Sequence, residues 1–244
     1  MRNIKLIVQY DGTNYHGWQV QQNAVTVQEV IEKSIQAVTG ARPHVTGCGR
    51  TDSGVHADKY VCNFFSDTKI PINKIVGALN SKLPKDIICK DAADMPTDFH
   101  AKNSAVKKRY TYRILNSAVN DVFMSKYAWH YKYPLDVDAM KKAALAFIGE
   151  HDFIGFASSG FSVKTTVRTI YSLDIKKEND LITIDVTGNG FLYNMVRIIA
   201  GTLVFVGCGK INAGDMADII NSCDRNRAGI TAPAEGLFLS EVYY

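Results

Sequence analysis

Gly49-Arg50-Thr51-Asp52-Ser53-Gly54-Val55-His56 places one carboxylate between an arginine and two flanking glycines. An apolar pattern of helical spacing ends at Gly40, and a new apolar run opens at Tyr60. Asp52 therefore falls in a short connection between two regular elements. Gly49 and Gly54 allow backbone angles that a side chain resists. Such a turn can push a carboxylate into a cleft, with N–H groups and Arg50 around it. That arrangement suits an aspartate that stays ionised and attacks or abstracts something. Ordinary turn chemistry explains the same residues, since Asp and Ser bond their own backbone and Gly takes positive φ. Three sharper motifs fail. Gly49 and Gly54 have P-loop spacing, but Val55-His56 follows where Lys-Ser/Thr is needed. Ser53 lacks the preceding glycine of a nucleophile elbow. Gly47-Cys48-Gly49 could open a dinucleotide fingerprint, but Asp52 stands at the third glycine position.

Around this turn the pattern alternates between strands and helices. Residues 4–10 read as a strand. Val27, Val30, Ile31, Ser34, Ile35 and Val38 predict a helix over 27–38. Thr26 with Glu29 predicts a capping box at its start, and Gly40 is the stop. Strand 60–66 and helix 71–82 follow, with Pro71 near the helix start and Pro84 past its end. Residues 87–91 and 105–115 are further strands. The polar run 116–121 marks the crossing into the second half. There the reading gives a strand at 127–131, a helix at 136–149 and a Gly/Ser-rich loop at 155–162. Paired strands at 166–175 and 181–186 follow. A long apolar helix at 191–206, another at 215–222 and a final strand at 237–244 complete the chain. Two halves emerge, 1–105 and 106–244, each with strands plus two helices. That order predicts an α+β fold with helices packed on mainly antiparallel sheet.

Composition sets bounds. The 244 residues are 46% apolar and 21% charged, enough for one large domain or two ordinary ones. The net charge of +4 permits nucleic-acid binding without implying it. The clustering of charge says more. Residues 99–120 hold Lys102, Lys107, Lys108, Arg109 and Arg113 and no acid; residues 153–173 hold Lys164 and Arg168 and no acid. Acid-free basic stretches suit a partner that carries phosphates on one face, although an ordinary solvated surface looks the same. The five cysteines are widely spaced with no C-x-x-C, which argues for reduced thiols rather than disulfides or zinc. The six histidines offer no metal-binding spacing. Met1-Arg2-Asn3-Ile4-Lys5 lacks the apolar core of a signal peptide. The most apolar stretch, after Arg197, is broken by Gly201 and is too short to span a bilayer. The expectation is a cytoplasmic protein with no membrane segment.

The octapeptide resembles the catalytic signature of the tRNA pseudouridine synthases of the A type, and other blocks extend the resemblance in the same order. Tyr10-Asp11-Gly12, Tyr15, Gly17-Trp18-Gln19 and Thr26-Val27-Gln28-Glu29 match the opening segment. Asp98-Phe99-His100-Ala101 with Lys108-Arg109-Tyr110-Thr111-Tyr112 matches the second block. Gly188-Asn189-Gly190-Phe191-Leu192-Tyr193 with Met195-Val196-Arg197 matches the third, and Ala234-Glu235-Gly236-Leu237 the last. Members vary between Ala and Ser after the aspartate, and Ser53 lies within that variation.

The resemblance implies two similar α+β halves whose sheets join into one continuous sheet, with the active cleft between them. The first half would carry the aspartate motif, the second a stacking tyrosine and an arginine partner. It implies isomerisation of uridine to pseudouridine at positions 38, 39 and 40 in the anticodon stem-loop of tRNAs. It also implies a homodimer. The glycosidic bond breaks, the base rotates, and a carbon–carbon bond forms; no outside atom or electron enters, so no cofactor is expected. By resemblance Asp52 is the essential carboxylate, and whether it attacks sugar or base, or removes a ribose proton, stays open. Arg197 matches the arginine that pairs with it, where a guanidinium favours the charged carboxylate. Tyr110 matches the tyrosine that stacks on the target base. Tyr110 and Tyr112 share a strand face, so the pattern does not separate them. Arg50 matches the arginine that helps hold the displaced nucleotide. His56 belongs to the motif without a catalytic role.

Two other readings compete. A non-catalytic RNA-binding module accounts for the basic stretches but gives no reason for Asp52 and Arg197 together. A glycosidase needs two carboxylates in its cleft, and the motif holds one.

Overall fold

The computed structural model of the chain describes residues 1–160 and 163–244. The loop read at 155–162 therefore lies partly outside the described residues; within them, Ile154–Phe156 form one 3₁₀ turn. The chain forms two compact units, Met1–Val106 with Phe238–Tyr244, and Lys107–Leu237.

In the first unit, β1 (Arg2–Tyr10) runs antiparallel between β3 (His56–Ser66) and β4 (Ile87–Met95), and the two-residue β2 (Thr46–Gly47) adds to β3. Alternation makes β1 two-faced: Ile4, Leu6, Val8 and Tyr10 are buried while Lys5, Ile7 and Gln9 are less so. Against the sheet lie α1 (Val27–Thr39) and α2 (Ile72–Asn80). Helix α1 sinks Val27, Ile31 and Ile35, at the spacing of one helical face, and stops at Gly40 in the left-handed conformation.

The capping box expected at the start of α1 does not form. Thr26 makes no side-chain cap, its hydroxyl is buried without a partner, and Glu29 turns to Lys33 at 2.6 Å. Glu29, which would reach back to Thr26 in the box, is taken by Lys33, and the first two amides of α1 are served from the preceding loop: Val27 N–H donates to Gly17 O and Gln28 N–H to Trp18 O.

In the second unit, β5 (Lys107–Leu115), β9 (Leu181–Gly188), β8 (Val167–Glu178) and β7 (Gly149–Asp152) form an antiparallel run in that order. The short β6 (Trp129–His130) lies parallel to β5. Strands β8 and β9 are joined by Asn179-Asp180, with Asn179 at positive φ. Helix α4 (Met195–Gly207) is apolar on nearly every side and buried accordingly; α3 (Val137–Ala144) and α5 (Met216–Asn221) complete the unit.

Two predicted helices fall well short of their patterns. The one read at 136–149 starts as expected, with Asp136 capping Ala139 N–H at 2.9 Å. It gives way to a 3₁₀ turn at Leu145–Phe147, and Gly149, at φ +113°, opens a strand. The one read at 191–206 begins only at Met195, because Asn194 takes the left-handed conformation. Apolar composition spans that boundary, so hydropathy alone gives no sign of it.

The last strand, β10 (Leu237–Tyr243), groups from Phe238 onward with the first unit, where it runs parallel to β3 through Phe238↔His56 and Leu239↔Ala57. Both units are thus α+β with mostly antiparallel sheet, as the alternation predicts. Among the described residues no helix is long and apolar enough to cross a membrane.

The buried thiols give a simple check on the first core. Cys48, Cys62 and Cys89 are buried, and burial raises the Cys62 thiol well above its ordinary range and the Cys89 thiol to about 12. Exposed Cys223 should react with a thiol reagent at mildly alkaline pH, and half-buried Cys208 more slowly. The three core thiols should stay silent until denaturant releases all five. Rapid labelling of Cys62 or Cys89 in the native protein would contradict this packing.

Candidate active site

Asp52 lies half-buried on the turn between β2 and β3, with Arg50 exposed beside it. The turn is not free-standing. The loop after β1 lies along its backbone and is bonded to it repeatedly. Trp18 N–H donates to Thr51 O at 3.1 Å, and Gly54 N–H and the Ser53 hydroxyl both donate to Tyr15 O at 3.3 Å. Within the turn, Val55 N–H donates to Asp52 O at 3.2 Å. Asp52 is thereby bracketed by fixed peptide groups on both sides.

This approach needs glycine. Gly17 sits at φ +80°, and a Cβ there would lie 2.4 Å from Thr51 O. At Gly12 a Cβ would lie 2.0 Å from Val55 O. Tyr15, whose carbonyl serves the turn, is itself held by a 2.7 Å bond from its hydroxyl to Asp86. Burial, then that bond and the Asp86 charge, raise the Tyr15 phenol far above its ordinary range, so it stays a donor.

His56 closes the turn. It is buried and stacks on Phe238 with ring centroids 4.6 Å apart. Gly12 N–H donates to its Nδ1 at 3.0 Å, while Asp11 Oδ1 lies 3.2 Å from the same atom. With a lone pair on Nδ1 the ring serves Gly12; with a proton there it serves Asp11. Either way His56 ties the turn to Asp11-Gly12.

The second unit carries Tyr110 and Arg197. The structure separates the two tyrosines of β5 that the strand period leaves equivalent. Tyr112 is fully buried and donates its hydroxyl to Pro233 O at 2.7 Å. Tyr110 is only half-buried and meets Phe191 edge-on, centroids 5.1 Å apart. Arg197, in the first turn of α4, donates through Nε to Ala232 O at 2.7 Å and through Nη1 to Asn194 Oδ1 at 2.8 Å. Ala232 N–H returns a bond to Arg197 O. The guanidinium is thus held at two nitrogens, unlike a side chain that merely reaches for water along an apolar helix. Asn194, whose left-handed backbone delays α4, is the residue that orients it. Arg168, from an acid-free stretch, spends its guanidinium on Thr165 O and Val167 O.

The sequence names Asp52, Arg50, Tyr110 and Arg197 but gives no role to the residues that hold them. Tyr10, Gly12, Gly17 and Trp18 lie in a quoted block, yet only the folded loop shows what they touch. Phe191 and Asn194 carry the same lesson in the second unit. Among the described residues no three His, Cys, Asp or Glu side chains gather as a metal site.

A model of the tRNA pseudouridine synthase family matches residues 6–103 and 143–244. The chain belongs to that family. It is 54% identical over 244 residues to the tRNA pseudouridine synthase A of Thermoanaerobacter sp. (strain X514), covering 100% of both chains. It is 51% identical to the protein of that name from Ruminiclostridium cellulolyticum and 47% identical to that of Clostridium acetobutylicum, again over 100% of both. Membership makes it an enzyme of the isomerase class. Arg50, Asp52 and Arg197 fall inside the family match; Tyr110 falls in the gap between its two parts, which the full-length relatives cover.

Gly17 and Gly40 make a controlled pair. Both have φ near +80°, at +80° and +82°, but a Cβ on Gly40 meets nothing within 4 Å. Gly40→Ala should therefore cost about 1 kcal/mol from backbone strain alone. Gly17→Ala adds the clash with Thr51 O and should cost about 2 kcal/mol or more in urea unfolding. It should also depress turnover, and Gly40→Ala should not. Equal effects at the two sites would show that the loop does not press on the turn.

Proposed function

We propose that this enzyme converts uridine to pseudouridine at positions 38, 39 and 40 in the anticodon stem-loop of tRNAs, with Asp52 as the essential carboxylate. The observation that carries the reading is the setting of Asp52. A single half-buried carboxylate stands on a turn whose peptide groups are bonded on either side of it. Chemistry on a sugar–base bond needs such a group aimed and kept charged, and preorganised geometry is where much of the rate comes from.

The other residues take complementary roles. Tyr110, half-buried and buttressed by Phe191, offers a ring face to the target base. A base leaving a stem must give up its stacking, at a cost of a few kcal/mol, and a new aromatic partner offsets part of it. Arg50, exposed beside Asp52, holds the backbone of the displaced nucleotide. Arg197, fixed by Ala232 O and Asn194, supplies positive charge to the reacting carboxylate. The basic residues of 99–120 suit the phosphates of a structured RNA, read by shape and backbone. The reaction moves a base within one nucleotide and consumes no electron or co-substrate, so the reading includes no cofactor. It further includes a cytoplasmic homodimer, carried by the resemblance.

The test is pseudouridine mapping on an unmodified tRNA transcript. Asp52→Asn keeps the shape and removes the charge, so it should abolish formation at all three positions while tRNA still binds. Turnover near that of the parent would remove Asp52 from the reaction.

Arg197 should act through charge and fork geometry. Arg197→Lys should keep kcat within about tenfold, and Arg197→Met should lose about a hundredfold. Without the cation a carboxylate takes up a proton more readily, and only its ionised form reacts. The rate of the Met variant should therefore climb with pH over a range where the parent is flat. A Met variant with the parent's rate and a flat profile would place Arg197 outside the reaction.

A further inference from the structure

Two buried tyrosines reach the candidate catalytic turn from below. Tyr60, with no exposed surface, donates its hydroxyl to Gly49 O. Tyr10, 2% exposed, brings its hydroxyl to 2.8 Å from Thr51 Oγ1, and Thr51 is buried as well. The rings form one packed group. Trp18 stacks on Tyr60 at 4.0 Å, and Tyr10 lies 5.7 Å from Tyr60 and 6.5 Å from Trp18. Tyr10 also ends β1, a strand paired on both sides, so its backbone has little freedom.

Thr51 is the residue immediately before Asp52. Its carbonyl is fixed by Trp18 N–H and its side chain by Tyr10. A residue held at both points cannot rotate about its own backbone without breaking one of them. Rotation there would swing the next side chain, which is the carboxylate of Asp52. Neither Tyr10 nor Thr51 needs to touch substrate for this to matter. A displacement of about 1 Å at a reacting group can cost a hundredfold in rate.

We propose that Tyr10 is a positioning residue: its hydroxyl, bonded to Thr51 Oγ1, fixes Thr51 and through it the direction of the Asp52 carboxylate. This rests on Asp52 being the reacting group. The pair is buried, so losing the Tyr10 hydroxyl takes from Thr51 Oγ1 the bond that holds it, and the turn relaxes. The effect belongs to the chemical step rather than to tRNA capture, which the proposed function gives to the basic residues of 99–120.

The experiment compares Tyr10→Phe, Thr51→Val, the double variant and Thr51→Ser with the parent, using an unmodified tRNA transcript and circular dichroism melts for folding. Tyr10→Phe keeps the ring and should lower kcat about tenfold, with KM for tRNA within about twofold. Thr51→Val should match it. The double variant should be no slower than the slower single, because both remove one interaction. Thr51→Ser restores the hydroxyl and should keep most of kcat. The proposal is overturned if Tyr10→Phe turns over like the parent, if the loss lies in KM alone, or if the two single losses multiply. Should Tyr10→Phe fail to fold, equal kcat for Thr51→Val and Thr51→Ser would overturn it just as well. Those outcomes, with an active parent, defeat this inference only. A parent that forms no pseudouridine defeats the reading of Asp52 beneath it.

Discussion

The bond from Trp18 N–H to Thr51 O joins the two parts of the first unit on which everything else near Asp52 depends. The Gly17–Trp18 peptide points its N–H at the turn and its carbonyl at the first amide of α1, and the Trp18 carbonyl serves the second. The same short loop therefore caps a helix and braces the candidate catalytic carboxylate. Buried backbone groups must be paired, so neither job can lapse without leaving orphaned N–H or C=O groups. Gly12 and Gly17 permit the close approach, and the aromatic group of Tyr10, Trp18 and Tyr60 fills the space beneath it. A carboxylate on a surface turn would sample many directions; this one is embedded in a framework with few alternatives.

The second unit solves the same problem by different means. Arg197 stands on a helix that is buried along most of its length, and its guanidinium is tied to a backbone carbonyl and to Asn194. A long flexible side chain loses rotamer entropy when fixed. Here two hydrogen bonds offset that cost in advance, before any RNA arrives. Tyr110 meets Phe191 edge-on, and Phe191 fills the space a side chain on Gly188 of β9 would need, a Cβ there falling 3.2 Å from its ring. Both units thus hold their candidate site side chains through neighbours contributed by loops, while strands and helices supply the rigid base.

Local pattern made much of this legible. The strands at 4–10 and 181–186 were readable as β1 and β9, helical spacing marked α1, and the octapeptide marked Asp52. What escaped was whatever depends on distant residues. The capping box was a sound local reading of Thr26 and Glu29, but Glu29 pairs with Lys33 and the first two amides of α1 are served by the Gly17 and Trp18 carbonyls. The start of α4 is set by Asn194, whose positive φ leaves no trace in hydropathy. Tyr110 and Tyr112 share a strand face, and only the fold shows Tyr112 buried with its hydroxyl on Pro233 O and Tyr110 half-buried against Phe191. The supporting roles of Tyr10 and Trp18 are contacts across sequence, and no single window of the chain contains both partners.

The placement of β10 has a consequence for the order in which a ribosome delivers this molecule. The strand that lies along β3 is made after the whole of the second unit, although it groups with the first. At about 5–20 residues per second, the stretch from Lys107 to Leu237 delays it by on the order of ten seconds. Until then His56 has no Phe238 to stack on, and the end of the turn that carries Asp52 lacks that support. The nascent chain can fold most of its first sheet early, but the turn gains its last brace only when the C-terminal strand emerges.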